Sequence, residues 1–336
     1  MIEHPGGKMT IENTKWVLKN RPEGLVKNTD FELVTEIIPE IQEGEILIEN
    51  LYLSFDPTQR TWLNDMPGYL PPVQIGEVVR SGGVGRVLES NDPEYKVGDL
   101  AFGFVGWQSH CITKPSGNDR FRVVPDVLPI PTMLNVMGTT GITAYYGLVE
   151  LGNPQPGETV LVSGAAGATG SVAVQIAKFK GCHVIGIAGG EEKCAWLKEL
   201  GVDDVIDYKN SNVQEELPKL AKNGIDIYFD NVGGDILEIV LFCININARI
   251  LLCGGISSGY DANRLPAGPR NLFSLIIKRA TMQGFLVLDY IPRSQEALEE
   301  IATWVMEGKL QHREDIQEGI ENCPQTLNRL FTGENK

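Results

Sequence analysis

Short runs of apolar residues, separated by glycine and proline turns, dominate the chain from Thr10 to about Met133. Runs of this length that are rich in β-branched and aromatic residues are typical of strands rather than helices. They predict strands at 14–18, 31–38, 45–53, 76–79, 83–89 and 100–108. We therefore expect this part of the chain to form a strand-dominated domain with a bent, barrel-like β fold.

The pattern changes at Leu134, after which helical and strand-like segments alternate. Predicted helices lie at 137–148, 171–180, 192–200, 213–222, 236–243, 272–278 and 294–307. Predicted strands lie at 160–162, 183–188, 204–208, 225–230, 248–253 and 280–288. This alternation predicts a six-stranded, doubly wound parallel sheet. Two final segments, 316–320 and 323–331, are expected to return to the first domain.

The stretch 160–193 carries the clearest candidate chemistry. Gly164, Gly167 and Gly170 separate a short apolar strand from a helical pattern, and a second strand-like run follows. Strand, glycine turn, helix and strand make a right-handed βαβ unit of roughly 30 residues. Glycines let the backbone approach a pyrophosphate, which the N–H groups and positive dipole of the helix N-terminus stabilise. The spacing is G-x-x-G-x-x-G rather than G-x-G-x-x-G, and the alternative is a glycine-rich turn that binds no nucleotide.

The overall composition limits the possible partners. Lys and Arg number 29 against 44 Asp and Glu, and the net charge of −15 argues against nucleic acid or an anionic membrane as a partner. No apolar run approaches the length of a membrane span. The six cysteines form no C-x-x-C pair or His–Cys cluster, so we expect no metal site and reduced thiols in a cytoplasmic protein.

Seven short blocks are distributed from about Trp16 to the end of the chain: LYLSFDP at 51–57, YLPP at 69–72, GEVVRSGGVGRV at 76–87, GITAY at 141–145, GAAGATGS at 164–171, DNVGG at 230–234 and GEN at 333–335. Together they resemble the zinc-independent branch of the medium-chain dehydrogenases/reductases. More narrowly, they resemble its NADP-dependent alkenal/one reductases, which include the leukotriene B4 dehydrogenase/prostaglandin reductase and curcumin reductase groups.

This resemblance implies an α/β architecture in which a Rossmann NADP-binding domain, 135–310, is inserted into a GroES-like β-barrel domain formed by 1–134 and 311–336. It also implies a homodimer. The zinc-dependent branch carries a Gly-His-Glu motif near Ile75-Gly76-Glu77, where this chain has no His.

The chain departs from the family pattern in two places. Relatives usually have Tyr and Met after the Asp-Pro pair, where this chain has Thr58 and Gln59. Relatives also continue past the block that ends at Asn335 into a short closing strand. The first departure predicts a different substrate pocket, and the second affects a C-terminal cofactor contact.

The tip of the second strand of the parallel sheet bears on the choice of cofactor. NAD enzymes place an acid there to bind the ribose 2′-hydroxyl, whereas this strand runs into Ala188-Gly189-Gly190. The resemblance places Lys193 and Tyr208 on a 2′-phosphate, and a cation and a phenol suit that dianion. We therefore expect NADP(H), with Glu191 and Glu192 assigned to the first turn of the following helix. The alternative for Lys193 is a solvated lysine on a helix face.

Further cofactor contacts that the resemblance implies come from the glycine turn, from the ends of later strands and from the C-terminus. They are Thr143, Gly164, Ala166, Gly167, Ala168, Thr169, Gly170, Asn231, Cys253, Ile256, Ser257, Phe285, Leu286, Val287 and Asn335.

Hydride addition to the β-carbon of an enone moves negative charge to the carbonyl oxygen as an enolate, so a donor must stabilise that oxygen. Without a metal, hydroxyl groups are the candidates: Tyr69 in the Tyr-Leu-Pro-Pro loop and Tyr260 after the fifth strand. We favour Tyr260, because ligands bind beyond the C-terminal ends of strands in open α/β sheets. The cofactor's own ribose hydroxyl is a third candidate, and either tyrosine has the alternative role of a packing aromatic.

The leading interpretation is an NADPH-dependent reductase that acts on the C=C bond of α,β-unsaturated aldehydes and ketones. A quinone reductase of the same superfamily is the second interpretation, and the missing zinc ligands disfavour a secondary-alcohol dehydrogenase. A different class is a non-enzymatic nucleotide-binding protein, because a fold alone does not fix a function.

Overall fold

The computed structural model describes residues 10–115, 121–124, 126–263 and 267–336. The chain forms two compact units. Unit 1 contains the described residues of Met1–Pro131, Gly259–Asn263 and Ile316–Asn335, and unit 2 contains those of Thr132–Ser258, Arg264–Asp315 and Lys336. The chain passes from unit 1 to unit 2 after Pro131 and returns to unit 1 at Ile316. Residues 259–263, which the sequence assigned to the inserted domain, lie instead in unit 1.

The described strands of unit 1 are all paired antiparallel. They are β1 (Glu12–Leu18), β2 (Phe31–Ile37), β3 (Ile46–Leu53), β4 (Gly82–Ser90), β5 (Leu100–Phe104), β6 (His110–Thr113) and β7 (Arg122–Val124). The first two pair with each other, and the others form a sheet in the order β6-β3-β4-β5-β7. The strand-dominated character predicted for this region is therefore present.

The C-terminal segment packs into the core of unit 1. The Trp16 indole N–H donates to the carbonyl oxygen of Ile320 over 2.7 Å. Leu327 is fully buried in the same apolar cluster as Trp16 and Trp107. Burial of these large side chains supplies much of the driving force for unit 1, because apolar area removed from water is the dominant favourable term in folding.

The described strands of unit 2 form a parallel sheet in the order β10-β9-β8-β11-β12-β13. They are β8 (Thr159–Ser163), β9 (His183–Ala188), β10 (Asp204–Asp207), β11 (Ile225–Asp230), β12 (Ile244–Leu252) and β13 (Thr281–Gly284). The order reverses between β8 and β11, as in a doubly wound fold. Val160 and Val162 pack in one apolar cluster and Leu161 in another. This continuous apolar run is what a strand covered on both faces requires.

The described α-helices belong to both units. They are α1 (Gln59–Trp62), α2 (Ile130–Leu134), α3 (Thr139–Tyr145), α4 (Ala168–Phe179), α5 (Glu191–Glu199), α6 (Val213–Leu220), α7 (Gly234–Cys243), α8 (Phe273–Lys278), α9 (Ser294–Met306) and α10 (Cys323–Thr332). Helices α1 and α10 lie in unit 1, and α3 to α9 lie in unit 2. The predicted helix at 137–148 begins later, at Thr139, and continues as a π-helix over Tyr146–Gly152.

Three predicted strands were wrong in whole or in part. The segment 76–79 is a turn that makes one isolated bridge, between Val17 and Val78. The predicted strand at 100–108 ends at Phe104, because Gly106 takes a positive φ of 73° that leaves the extended region. The predicted strand at 280–288 ends at Gly284, and a 3₁₀ turn follows at Val287–Asp289.

Cys182 is buried, and Cys243 and Cys253 are half-buried. Burial raises the pKa of the Cys182 thiol to about 11. Burial likewise raises the pKa of the Cys243 thiol. Such thiols stay protonated and poorly nucleophilic at neutral pH.

No helix in the described ranges has the length and apolar content needed to cross a membrane.

Candidate functional site

The glycine turn between β8 and α4 has the geometry of a phosphate-binding loop. Gly164 takes a positive φ of 58°, a backbone conformation that residues other than glycine rarely adopt. A Cβ at Gly170 would collide with the Gly164 carbonyl oxygen and lie 2.8 Å from Cα of Ala165. The turn therefore needs glycine at both positions, and it brings the start of α4 close against the end of β8.

The N-terminus of α4 is open to a ligand. Its N-cap is Gly167, and within the described structure no side-chain hydrogen bond caps it. The helix begins at Ala168, three residues before the predicted start, so Ala168 and Thr169 lie in its first turn. The first N–H groups of a helix lack intrahelical partners, and together with the helix dipole they attract anions. Ala166 packs half-buried against the core below the turn.

Asp230, at the end of β11, organises the strand ends beside this turn. The side chain is fully buried, and its Oδ1 accepts hydrogen bonds from the Ser163 hydroxyl over 2.9 Å and the Tyr228 hydroxyl over 2.7 Å. The backbone N–H groups of Val232 and Gly233 donate to the same oxygen over 2.9 and 2.8 Å. Burial raises the pKa of the Tyr228 phenol well above its usual value, so that hydroxyl stays a donor.

Asn231 connects the hydrogen-bonded cluster around Asp230 to the glycine turn. Its side-chain amide donates to the Ser163 carbonyl oxygen over 2.7 Å, and its backbone N–H donates to the Ser163 hydroxyl over 3.1 Å. A Cβ on Gly164 would lie 3.3 Å from Cβ of Asn231. Sequence reasoning identified Asn231 but missed Ser163 and Asp230, because their role depends on which strands become neighbours.

Three predicted cofactor residues follow β12 and join the same cluster. The backbone N–H of Cys253 donates to the Asp230 carbonyl oxygen over 2.9 Å. The N–H of Ile256 donates to the Asn231 carbonyl oxygen over 3.3 Å. The hydroxyl of Ser257 donates to the Val232 carbonyl oxygen over 2.6 Å. The structure thus brings the predicted residues at the ends of β8, β11 and β12 together.

Phe285, Leu286 and Val287 directly follow β13, which pairs with β12 on the edge away from β11. The Phe285 ring meets Phe229 edge-on, with ring centroids 6.1 Å apart. A Cβ on Gly147 would collide with the Phe285 ring, so this ring packs directly against the backbone of Gly147. The backbones of Leu286 and Val287 enter the following turn, where their carbonyl oxygens accept N–H donors over 3.1 and 2.9 Å.

Two predicted residues make hydrogen bonds to other parts of the chain. Thr143 is on α3, and its hydroxyl donates to the Thr139 carbonyl oxygen over 2.6 Å. Asn335 belongs to unit 1, where its N–H donates to the Arg329 carbonyl oxygen over 3.4 Å. Unit 2 alone therefore does not assemble the full predicted set.

The region beyond β9 has the features expected for a 2′-phosphate site. Lys193 lies half-buried in the first turn of α5. The exposed ring of Tyr208 packs on Gly189, where a Cβ would come within 2.6 Å of the ring. The Gly190 N–H donates to the Asp207 carboxylate over 2.8 Å, and this bond holds the pKa of Asp207 below its usual value. Asp207, at the end of β10, therefore binds the backbone of the turn that follows β9.

Both candidate catalytic tyrosines belong to unit 1. Tyr260 has a positive φ of 51°, and its ring meets Phe331 edge-on with centroids 6.3 Å apart. Tyr69 is 42% exposed and stacks edge-on against Trp62. Burial raises the pKa of the Tyr69 hydroxyl, and a hydrogen bond with Thr58 opposes that rise most strongly. Thr58, one of the departures from the family pattern, therefore contacts a candidate catalytic residue.

No group of three or more His, Cys, Asp and Glu side chains in the described part of the chain is arranged to hold a metal ion. The donor set around the glycine turn consists of backbone N–H groups, hydroxyls and amides, which suits phosphate and ribose oxygens rather than a metal. The turn, the open start of α4 and the position of Lys193 fit a dinucleotide that carries a 2′-phosphate.

A doubly wound parallel sheet with a glycine turn at its reversal point defines unit 2 as the dinucleotide-binding part of an oxidoreductase. Known proteins agree with this class. A family model described as the N-terminal domain of oxidoreductases matches residues 14–121. A second model, described as zinc-binding dehydrogenase, matches residues 168–303.

Full-length relatives narrow the class. The NADPH-dependent curcumin reductase of Escherichia coli strain K12 is 42% identical over 98% of this chain and 96% of its own. The NADP-dependent 2-alkenal reductase of Nicotiana tabacum is 38% identical over 97% of this chain and 96% of its own. The crystal structure of CurA from Vibrio vulnificus in complex with NADPH is 42% identical and superposes with a TM-score of 0.90, covering 96% of both chains.

The chain belongs to the medium-chain dehydrogenase/reductase superfamily and, within it, to the alkenal/one reductase group of NADP-dependent oxidoreductases. The family that the seven sequence blocks predicted is confirmed, and so is the α/β fold that it implied.

Proposed function

We propose that the protein is an NADPH-dependent reductase of the C=C bond of α,β-unsaturated aldehydes and ketones. The observation that supports this most is the cluster formed by Gly164, Ser163, Asp230 and Asn231 at the reversal point of the sheet, on a chain whose full-length relatives include named NADPH-dependent reductases. The quinone reductase interpretation has no comparable support, because the structures named for that activity resemble this chain at about 20% identity and show the fold alone.

The cofactor when bound supplies the hydride. The chain's own residues hold and orient it: the N–H groups at the start of α4 are assigned to the pyrophosphate. Lys193 and Tyr208 are assigned to the 2′-phosphate, where a charge-assisted hydrogen bond from the ammonium group discriminates against a cofactor that lacks this phosphate. The buried Asp230 accepts hydrogen bonds from the N–H groups of Val232 and Gly233 and so fixes the backbone of 231–233. This part of the proposed site therefore needs no further rearrangement when the cofactor binds.

The substrate side of the reaction needs a hydrogen-bond donor for the developing enolate oxygen. We assign this role to the Tyr260 hydroxyl, with Tyr69 as the second candidate. The raised pKa of Tyr69 means that its phenol keeps its proton at neutral pH and could serve as a donor. The proton for the α-carbon comes from water or from one of these hydroxyls, and no metal is assigned to this reaction.

The assembled protein is proposed to be a cytoplasmic homodimer. On α8, Phe273, Ile276 and Ile277 are 66%, 70% and 55% exposed, and β13 beside it is an edge strand of the sheet as described. Exposed edge strands and apolar helix faces of this kind are usually covered by another chain. Because a second copy presents the same edge, a symmetric pairing through β13 and α8 would cover both patches at once.

The proposed reaction is tested with a panel of enals, enones, simple ketones and quinones, each incubated with NADPH. We expect turnover of the conjugated carbonyls to saturated carbonyls with the C=O group intact. Oxidation of NADPH by quinones alone would instead favour the second interpretation, and tight NADPH binding without turnover of any compound would favour a non-enzymatic protein.

A further inference from the structure

A cluster of buried polar side chains in unit 1 contacts the loop that carries Tyr260. Arg60, on α1, is 1% exposed, and Asp261 is 4% exposed. Charged residues are almost never buried this completely unless they are paired and hydrogen-bonded. The five residues Gly259–Asn263 belong to unit 1, although the chain segments on both sides of them belong to unit 2.

The Arg60 guanidinium makes a set of contacts that fixes this region. Its Nε donates to the Gly24 carbonyl oxygen over 3.0 Å and its Nη2 to the Pro22 carbonyl oxygen over 2.9 Å. Its Nη1 donates to Oδ1 of Asn64 over 2.6 Å. Its Nη2 also lies 3.7 Å from a carboxylate oxygen of Asp261. Burial lowers the pKa of Arg60, and the Asp261 charge opposes that change most strongly.

The same cluster holds the backbone of Tyr260 through its carbonyl group and through the residue that follows it. The Asn64 side-chain amide donates to the Tyr260 carbonyl oxygen over 2.9 Å. On the following residue, the Asp261 carboxylate accepts the Gly24 N–H over 2.8 Å and the Asn263 N–H over 2.9 Å. Arg60 orients Asn64 through the contact to its Oδ1, so Asn64 presents its donor end to the tyrosine.

The backbone conformation of Tyr260 needs this support. Its φ of 51° lies in the left-handed region, which is unfavourable for a residue with a Cβ. Such a residue persists only where its surroundings over-determine the conformation, and this occurs most often at functional sites.

We propose that Arg60, Asn64 and Asp261 are positioning residues that hold Tyr260 in one conformation, so that its hydroxyl occupies one place when a substrate oxygen needs a donor. This inference rests on the role of Tyr260 in the proposed function. A hydroxyl that is fixed before the reaction requires no reorganisation at the moment when charge develops. The three residues act through Tyr260 and are not assigned a contact with the substrate.

The first test measures the loop and needs no substrate. Asn64→Asp keeps the acceptor for Arg60 but replaces the donor to the Tyr260 carbonyl with a second oxygen, and Asn64→Ala removes both. We expect amide hydrogen exchange in 259–263 to become at least about tenfold faster in both variants. Asn50→Ala is the matched control, because Asn50 donates to a backbone carbonyl over 2.8 Å elsewhere in unit 1. Unchanged exchange in 259–263 in both Asn64 variants would overturn the proposal.

The second test asks whether the effect on the reaction passes through Tyr260. With NADPH and an enone, Asn64→Ala should lower kcat by about three- to thirtyfold and leave the KM for NADPH unchanged. In a Tyr260→Phe background, the same substitution should lower kcat no further, because the hydroxyl that it positions is gone. Equal losses of kcat in both backgrounds would mean a general structural role and would overturn the inference.

The two tests separate this inference from the proposed function. If the wild-type protein reduces no enone, the proposed function fails, while hydrogen exchange still decides whether the cluster holds the loop. If enones are reduced but Tyr260→Phe keeps the wild-type kcat, the reaction class stands and the positioning of a catalytic hydroxyl is overturned.

Discussion

The side-chain amide of Asn231 donates to the backbone carbonyl oxygen of Ser163 over 2.7 Å. The two residues lie at the C-terminal ends of β11 and β8, which are neighbours although more than sixty positions separate them in the chain. They meet at the place where the strand order of the sheet reverses, and ligands of open α/β sheets bind beyond the strand ends at that place. The hydrogen bond therefore fixes one wall of the site that we assign to NADPH.

Asp230→Ala should lower both the stability of unit 2 and the affinity of the protein for NADPH. The substitution leaves the buried hydroxyls of Ser163 and Tyr228 and two backbone N–H groups without their acceptor. We expect a loss of about 3–5 kcal/mol of unfolding free energy, since each buried group left unsatisfied costs about 1–3 kcal/mol. The NADPH dissociation constant should rise at least about tenfold. Chemical denaturation and fluorescence titration measure the two effects.

Asp226→Ala is the control for Asp230, because Asp226 lies on the same strand. Its carboxylate accepts the Thr159 N–H and the Asn245 amide, each over 2.8 Å, at the N-terminal end of β11. This variant should lose stability and keep the wild-type affinity for NADPH. If both variants weakened NADPH binding equally, the assignment of the cofactor to the C-terminal strand ends would be wrong.

Lys193→Ala should separate the two nicotinamide cofactors. A charge-assisted contact to the 2′-phosphate contributes roughly 1.5–3 kcal/mol, so the NADPH dissociation constant should rise by about one to two decades while that of NADH stays nearly unchanged. Lys198→Ala, an exposed lysine in the last turn of the same helix, should leave both constants unchanged. Equal weakening of the two cofactors by Lys193→Ala would refute the assignment.

The double variant Ile276→Asp, Ile277→Asp tests the proposed dimer. Two carboxylates on the exposed face of α8 would oppose burial against a second copy, because an unpaired buried charge is strongly unfavourable. Light scattering should give twice the chain mass of 36.9 kDa for the wild type and the single mass for the variant. Val97→Asp, at a 69% exposed position of unit 1, should keep the wild-type mass. A wild-type protein with the mass of one chain contradicts the proposal.

Catalysis is expected to proceed without zinc. Because no zinc is assigned to the reaction, activity with an enone should survive prolonged treatment with a strong chelator, and elemental analysis should find no stoichiometric zinc. One zinc per chain whose removal abolishes activity would show that the zinc-independent assignment is wrong.

The sequence predicted the local patterns well and the long-range relationships poorly. The glycine turn and its flanking strands were predictable because the apolar run at 160–162 and the three glycines have local causes. The start of α4 was predicted three residues late, since the usual N-cap residue is absent from the sequence and no side chain of the described residues caps the helix.

Two other features had no local signal. Asp230 reads as the end of a strand, and its role as a hydrogen-bond acceptor depends on β8 lying beside β11. Residues 259–263 come soon after a strand of the parallel sheet. The sequence analysis therefore assigned them to the inserted domain that contains this sheet. Arg60 and Asn64 hold them in unit 1, and a contact between residues nearly two hundred positions apart leaves no trace in the sequence pattern.

The position of a transferred deuterium tests the central claim most directly. The protein is incubated with NADPH that carries deuterium at the transferable position and with a 2-alkenal, and the product is examined by NMR. Our account predicts a saturated aldehyde with deuterium on the β-carbon, formed at a rate that falls by about ten- to a thousandfold in Tyr260→Phe. Deuterium on the carbonyl carbon, in an allylic alcohol that keeps its C=C bond, would mean alcohol dehydrogenase chemistry and would contradict the account.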